Sequence, residues 1–131
     1  WYAVCDQDDA NHLRAREFYE KVAGTVPLMT TVAIMVETWA LLVARLGRYA
    51  AQSFWQMLRE TGTPVIPVEE ADLEAAWQIM HAFPDQSFSF TDCTTFAVME
   101  RLRIERIFTF DRHFLVYRYG PGRRKAFTCE P

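Results

Sequence analysis

Residues Asp85 to Phe114 read DQSFSFTDCTTFAVMERLRIERIFTFDRHF. A polar loop comes first, then a helical run from Thr91 or Asp92 to Leu102, then a β-rich run from Arg106 to Phe110. Asp92 stands at the mouth of the helix, and Asp111 directly follows the strand. Parallel α/β sheets bind their ligands outside the carboxyl ends of the strands. Two acids so placed can share one sheet edge, which suggests a metal-binding, phosphodiester-cleaving site.

The flanking sequence supplies the sheet. Strand candidates at Leu28–Thr30, Val65–Val68 and Lys125–Cys129 alternate with helical patterns. Those patterns run from Ala10 to Val22, with Asp8 or Asp9 as N-cap, from Val32 to Leu46, and from Arg48 to Glu60. A further helix, Glu69–Phe83, carries Leu73, Ala76, Trp77 and Met80 on one side. Such alternation predicts an α/β fold with a largely parallel sheet. The 131 residues suit a single domain, and no repeat or linker interrupts them.

Glu37 has Ala33, Ile34, Ala40 and Leu41 as its helical neighbours. A carboxylate on so apolar a face loses hydration and needs a cation, an arginine or a hydrogen-bond donor. Asp92 caps its helix or projects as a ligand from the first turn, since Thr91 can cap unaided. Asp111 caps a turn through Arg112 and His113 or faces the ligand crevice, where Arg112 steadies it or touches a phosphate. Asp85 follows a proline, a turn pair, and is a fourth candidate, with Ser89 and Thr91 nearby. Hard cations such as Mg²⁺ or Mn²⁺ take oxygen ligands and offset the repulsion of clustered acids.

Other chemistries find little support. There is no G-x-S-x-G elbow, glycine-rich phosphate loop or H-x-x-x-H spacing. Asp6 to Glu17 falls short of a calcium loop, because Ala10 and Asn11 stand where a ligand and a glycine are required. Cys5, Cys93 and Cys129 form no C-x-x-C pair, which points to free thiols in a reducing cytoplasm. No apolar run is long enough to span a membrane. Residues 1–100 carry 6 basic and 14 acidic side chains, and residues 101–131 carry 8 and 3. The basic end permits local contact with phosphates, and the acidic body excludes a wholly basic nucleic-acid binder.

Four blocks in this order resemble the PIN-domain ribonucleases, particularly the VapC-like toxins of toxin–antitoxin pairs. They are DQDDANHLRA near the start, TTVAIMVETW around Glu37, SFTDC around Asp92 and TFDRHF around Asp111. The resemblance covers essentially the whole chain. It implies a PIN-like three-layer sandwich, a mostly parallel sheet with helices on both faces. Glu37, Asp92 and Asp111 match three of the family's acidic positions, whose implied work is holding Mg²⁺ or Mn²⁺ and activating water against an RNA phosphodiester. A cognate antitoxin and a homodimer are implied as well. The family opens with an apolar strand ending in an aspartate, and Trp1 corresponds to a position just after it. This strand and a first acidic residue are therefore absent from the sequence, which points to a fragment of a longer chain in preference to a truncated protein, while Asp6, Asp8 and Asp9 match a later loop. Two other readings stay open: a non-catalytic PIN-like module that binds a partner or RNA, and a receiver-like, Mg²⁺-dependent phosphoacceptor domain.

Overall fold

The computed structural model describes residues 1–130, and the chain divides into two compact units, Trp1–Pro67 and Val68–Pro131. The first unit holds α1 (Tyr2–Cys5), α2 (His12–Val22), β1 (Thr30–Thr31), α3 (Val32–Leu46), α4 (Arg48–Glu60) and β2 (Val65–Ile66). Gly47, at φ +87°, ends α3 and starts α4 in a conformation that side chains other than glycine's rarely adopt. Ala51, Phe54 and Leu58 recur at helical spacing on α4 and close over Leu42 of α3, with Trp1, Met35 and Trp39 packed around them. Strands β1 and β2 pair in parallel, Thr30 opposite Val65 and Thr31 opposite Ile66. Both are shorter than the expected runs.

Helix α2 starts two residues later than the sequence predicts, and neither Asp8 nor Asp9 caps it. Asn11 occupies the N-cap position without a side-chain bond. The acids instead shape the turns ahead of the helix: Asp6 Oδ1 accepts from the Asp8 amide at 3.0 Å, and Asp9 Oδ1 from the Asn11 amide at 2.7 Å. Short aspartate side chains close such turns readily.

The second unit holds α5 (Glu70–Ala82), α6 (Phe90–Leu102), β3 (Arg106–Phe108), α7 (His113–Val116) and β4 (Thr128–Glu130). β3 and β4 pair in parallel, Arg106 opposite Thr128 and Phe108 opposite Glu130. Helix α5 buries Asp72, Ala76 and Ile79, whereas Leu73, Trp77 and Met80 stay exposed. An ion pair explains that choice of face. Arg101 of α6 donates from Nε and Nη2 to the two oxygens of Asp72, each at 2.8 Å. Asp72 also accepts from the Glu69 amide and completes a capping box. A fork from arginine plus a backbone donor satisfies a buried carboxylate, and the Arg101 bonds hold its pKa below the ordinary 3.8.

Every residue of α6 from Asp92 to Met99 is buried. Phe96 stacks on Tyr117, the ring centroids 4.0 Å apart and the planes 2° from parallel. It also meets Phe114 edge-on at 4.8 Å. These contacts seat α7 on α6, and Tyr117 adds a bond from its hydroxyl to Glu100 Oε1 at 2.6 Å. Burial first, then this bond, pushes the Tyr117 phenol far up, so it stays protonated.

Candidate active site

The aromatic seat of α7 determines what meets at the head of α6. Phe114 and Tyr117 grip Phe96, and Asp92 lies one helical turn before Phe96. His113, the residue before Phe114, is thereby carried to Asp92. Its Nδ1 lies 2.9 Å from Asp92 Oδ2 and 3.4 Å from Asp111 Oδ1. One ligand atom from each of Asp92, Asp111 and His113 lies within 4.8 Å of the other two.

Each carboxylate is fixed by backbone. Ser89 Oγ accepts from the Asp92 amide at 3.0 Å, and Asp92 Oδ2 accepts from the Ser89 amide at 2.8 Å. This reciprocal box makes Ser89, not Thr91, the N-cap of α6. Thr91 lies inside the helix, where its carbonyl accepts from Thr94 Oγ1 at 3.0 Å. Asp92 is thus both cap and cluster member, and the two sequence readings are not exclusive. Asp111 stands three residues beyond the end of β3 and closes its own turn, Oδ1 accepting from the His113 amide at 2.8 Å. Asp111 thus closes the turn and also belongs to the cluster.

The histidine is held as well. The Phe88 ring meets its edge at a centroid distance of 5.3 Å, and Ser87 Oγ lies 3.4 Å from Nε2. Sequence reading missed His113 because it sought histidines at helix spacing. The signal present was Asp-x-His after a strand, which sets on one turn two side chains able to ligate a metal.

Of the other expected residues, Asp85 and Arg112 belong to the second unit and Glu37 to the first. Asp85 is exposed, pairs with the Gln86 side-chain amide at 3.0 Å and is not part of the cluster. Arg112 is exposed and makes no ion pair among the described residues; its carbonyl accepts from the Leu115 and Val116 amides. The nitrogen base beside Asp111 is His113. Glu37 is exposed on α3, contrary to the dehydrated setting its neighbours suggested. The buried face of α3 is that of Thr38 and Leu42, and Ala33, Ile34, Ala40 and Leu41 do not enclose the carboxylate. Cys93 is fully buried, and burial first, then Asp92, pushes its thiol up to about 11.

The set suits a divalent cation. Adjacent ligands of an octahedral ion with bonds of about 2.1 Å lie about 3 Å apart, close to the spacings of 2.9 and 3.4 Å found here. Asp92 Oδ1 and Asp111 Oδ2 take no hydrogen bond from the described residues, which leaves one further oxygen on each acid.

Residues 1–118 match the PIN domain family. The chain belongs to the PIN-domain family. A curated relative, the 23S rRNA-specific endonuclease VapC20 of Mycobacterium tuberculosis, is 34% identical over 117 residues, 87% of this chain and 86% of the relative. The same match holds for strains CDC 1551 / Oshkosh and ATCC 25618 / H37Rv. The crystal structure of Mycobacterium tuberculosis VapC20, described as a sarcin–ricin loop cleaving toxin, matches with a TM-score of 0.77 at 29% identity. That match covers 86% of this chain and 85% of the other. The fold is therefore the α/β fold of PIN domains, as the sequence predicted, and the receiver-like alternative falls away.

Proposed function

We propose that this PIN domain is a metal-dependent endoribonuclease, the toxin of a toxin–antitoxin pair, acting in the cytoplasm on structured RNA. The observation that carries the reading is the convergence of Asp92, Asp111 and His113 within 4.8 Å in a chain 34% identical to a 23S rRNA-specific endonuclease. Asp92 and Asp111 are the proposed holders of Mg²⁺ or Mn²⁺. Glu37 joins them on the family pattern, with Ser89 as the residue that orients Asp92. The cation, when bound, supplies a water activated at neutral pH and neutralises charge on the phosphoryl group.

The chain's own part is orientation and charge. Ser89 and the α7 turn hold the two acids in fixed rotamers, so little reorganisation is required at reaction. The positive balance of residues 101–131, including Arg112, attracts the RNA backbone toward the side of the fold that carries Asp111 and His113. The cognate antitoxin covers the acidic groove in this reading, and a second copy of the chain completes a homodimer. Support for the homodimer comes from α3, where exposed Val32, Val36, Val43 and Leu46 fall on one heptad-like stripe.

The test is cleavage of a 23S rRNA fragment containing the sarcin–ricin loop by the full-length protein. We expect cleavage with Mg²⁺ or Mn²⁺, none with excess chelator, and none by Asp92→Asn. Cleavage that survives the chelator and the substitution sinks the metal mechanism. Catalysis absent under every condition, with RNA still bound, favours the non-catalytic module.

A further inference from the structure

We propose that His113 Nδ1 is a direct metal ligand beside Asp92 and Asp111, and that this nitrogen makes the site favour Mn²⁺ over Mg²⁺. The inference rests on the metal-nuclease reading above and concerns which atoms and which ion that site uses. Three electron-rich atoms converge: Asp92 Oδ2, Asp111 Oδ1 and His113 Nδ1. A carboxylate only accepts hydrogen bonds. Either a proton on Nδ1 or a cation has to lie among them, and the spacings serve both.

The far side of the ring is arranged as a ligating imidazole requires. Metal-bound histidines donate the other ring N–H to an oxygen, which fixes tautomer and orientation. Here Nε2 points at Ser87 Oγ, 3.4 Å away. The Phe88 edge contact restrains rotation about the ring's own bond. The amide of the same residue is tied to Asp111 Oδ1, so histidine and acid move as one turn. A ring in this position offers nitrogen to the ion and the hydrogen on Nε2 to the serine.

Ion preference follows from ligand type. Mg²⁺ takes oxygen and sheds its waters reluctantly, whereas an imidazole beside carboxylates suits a transition ion. Mn²⁺ accepts both donor types.

The decisive experiment is electron spin-echo modulation of Mn²⁺ bound to the full-length wild-type protein, with Mn²⁺ and Mg²⁺ affinities measured by calorimetry. We expect ¹⁴N modulation from a directly bound imidazole, lost in His113→Gln. We also expect His113→Asp, which gives an all-oxygen set, to reduce the Mn²⁺ over Mg²⁺ preference. Mn²⁺ binding without ¹⁴N modulation in the wild type overturns the inference and leaves the metal nuclease intact. Modulation that persists in His113→Gln assigns the nitrogen to another histidine and overturns it too. Failure of the wild type to bind either ion overturns the inference together with the metal reading beneath it. The wild-type spectrum alone decides the ligand if a variant folds poorly.

Discussion

Ser89 and Asp92 cap each other, and Asp92 Oδ2, the oxygen that closes this box, also faces His113. One carboxylate therefore starts α6 and serves the acidic cluster, and substitutions can separate the two tasks. Asp92→Asn keeps an oxygen for the Ser89 amide but loses the charge. We expect RNA cleavage to fall on the order of 100-fold or more, with unfolding free energy changed by less than about 1 kcal/mol. Asp92→Ala loses both and should destabilise by a further ~1–2 kcal/mol in urea unfolding. Equal stability of the two variants would show that the box is idle.

Asp111→Asn tests the second acid. Its side chain is 44% exposed, so the expected change in stability is within about 0.5 kcal/mol. Cleavage should fall as for Asp92→Asn. Retained cleavage at saturating Mg²⁺ removes Asp111 from the site.

Glu37→Gln addresses the acid assigned by the family pattern. Because Glu37 is exposed, its replacement should leave the melting temperature nearly unchanged while RNA cleavage drops. A full-rate variant with wild-type metal affinity strikes Glu37 from the set.

Asp72 and Arg101 make a prediction about acid stability. The Arg101 bonds hold the Asp72 carboxyl below 3.8, so the folded state binds its proton less readily than the unfolded chain. The pair's stabilisation is present above about pH 4 and is lost as pH falls through the depressed folded value. Arg101→Met leaves a buried carboxylate short of its donors and should cost about 1–3 kcal/mol at pH 7, with the deficit shrinking toward pH 2. Urea titrations at pH 7, 4, 3 and 2 measure it; a deficit independent of pH would show that lost packing, not charge, is responsible.

Cys93 should resist alkylation. Its thiol is buried and pushed up to about 11, so almost no thiolate exists at pH 7.5. Iodoacetamide labelling followed by mass spectrometry should find Cys93 modified only after denaturation. Rapid modification of the native protein would mean that the head of α6 opens readily.

The helices and both central aspartates were legible because their signals are local. Gly47 and the apolar spacing on α4 mark helix limits without reference to anything distant, and Asp92 and Asp111 stand at element ends. What escaped depends on partners far along the chain. The face that α5 buries is decided by Arg101, which lies 29 residues from Asp72. Its large apolar residues Leu73, Trp77 and Met80 pointed instead to the neighbouring face, one residue further round the helix from Asp72, Ala76 and Ile79. On α3, apolar residues surround the helix, so periodicity could not say that Glu37 remains hydrated. His113 was invisible until Phe96 supplied the seat that brings α7 to Asp92.

The burial of α6 along its whole middle also divides the cluster in time. Asp92 belongs to a helix whose amides should be among the slowest in the protein to exchange with deuterated water. Asp111 and His113 belong to a four-residue helix and the turn before it, where local opening is cheap. An ion held by both halves would lend the stability of α6 to that turn, so bound Mn²⁺ should slow exchange across residues 111–116 far more than across α6. The site would then be a clasp, rigid on one side and closed by its ligand on the other.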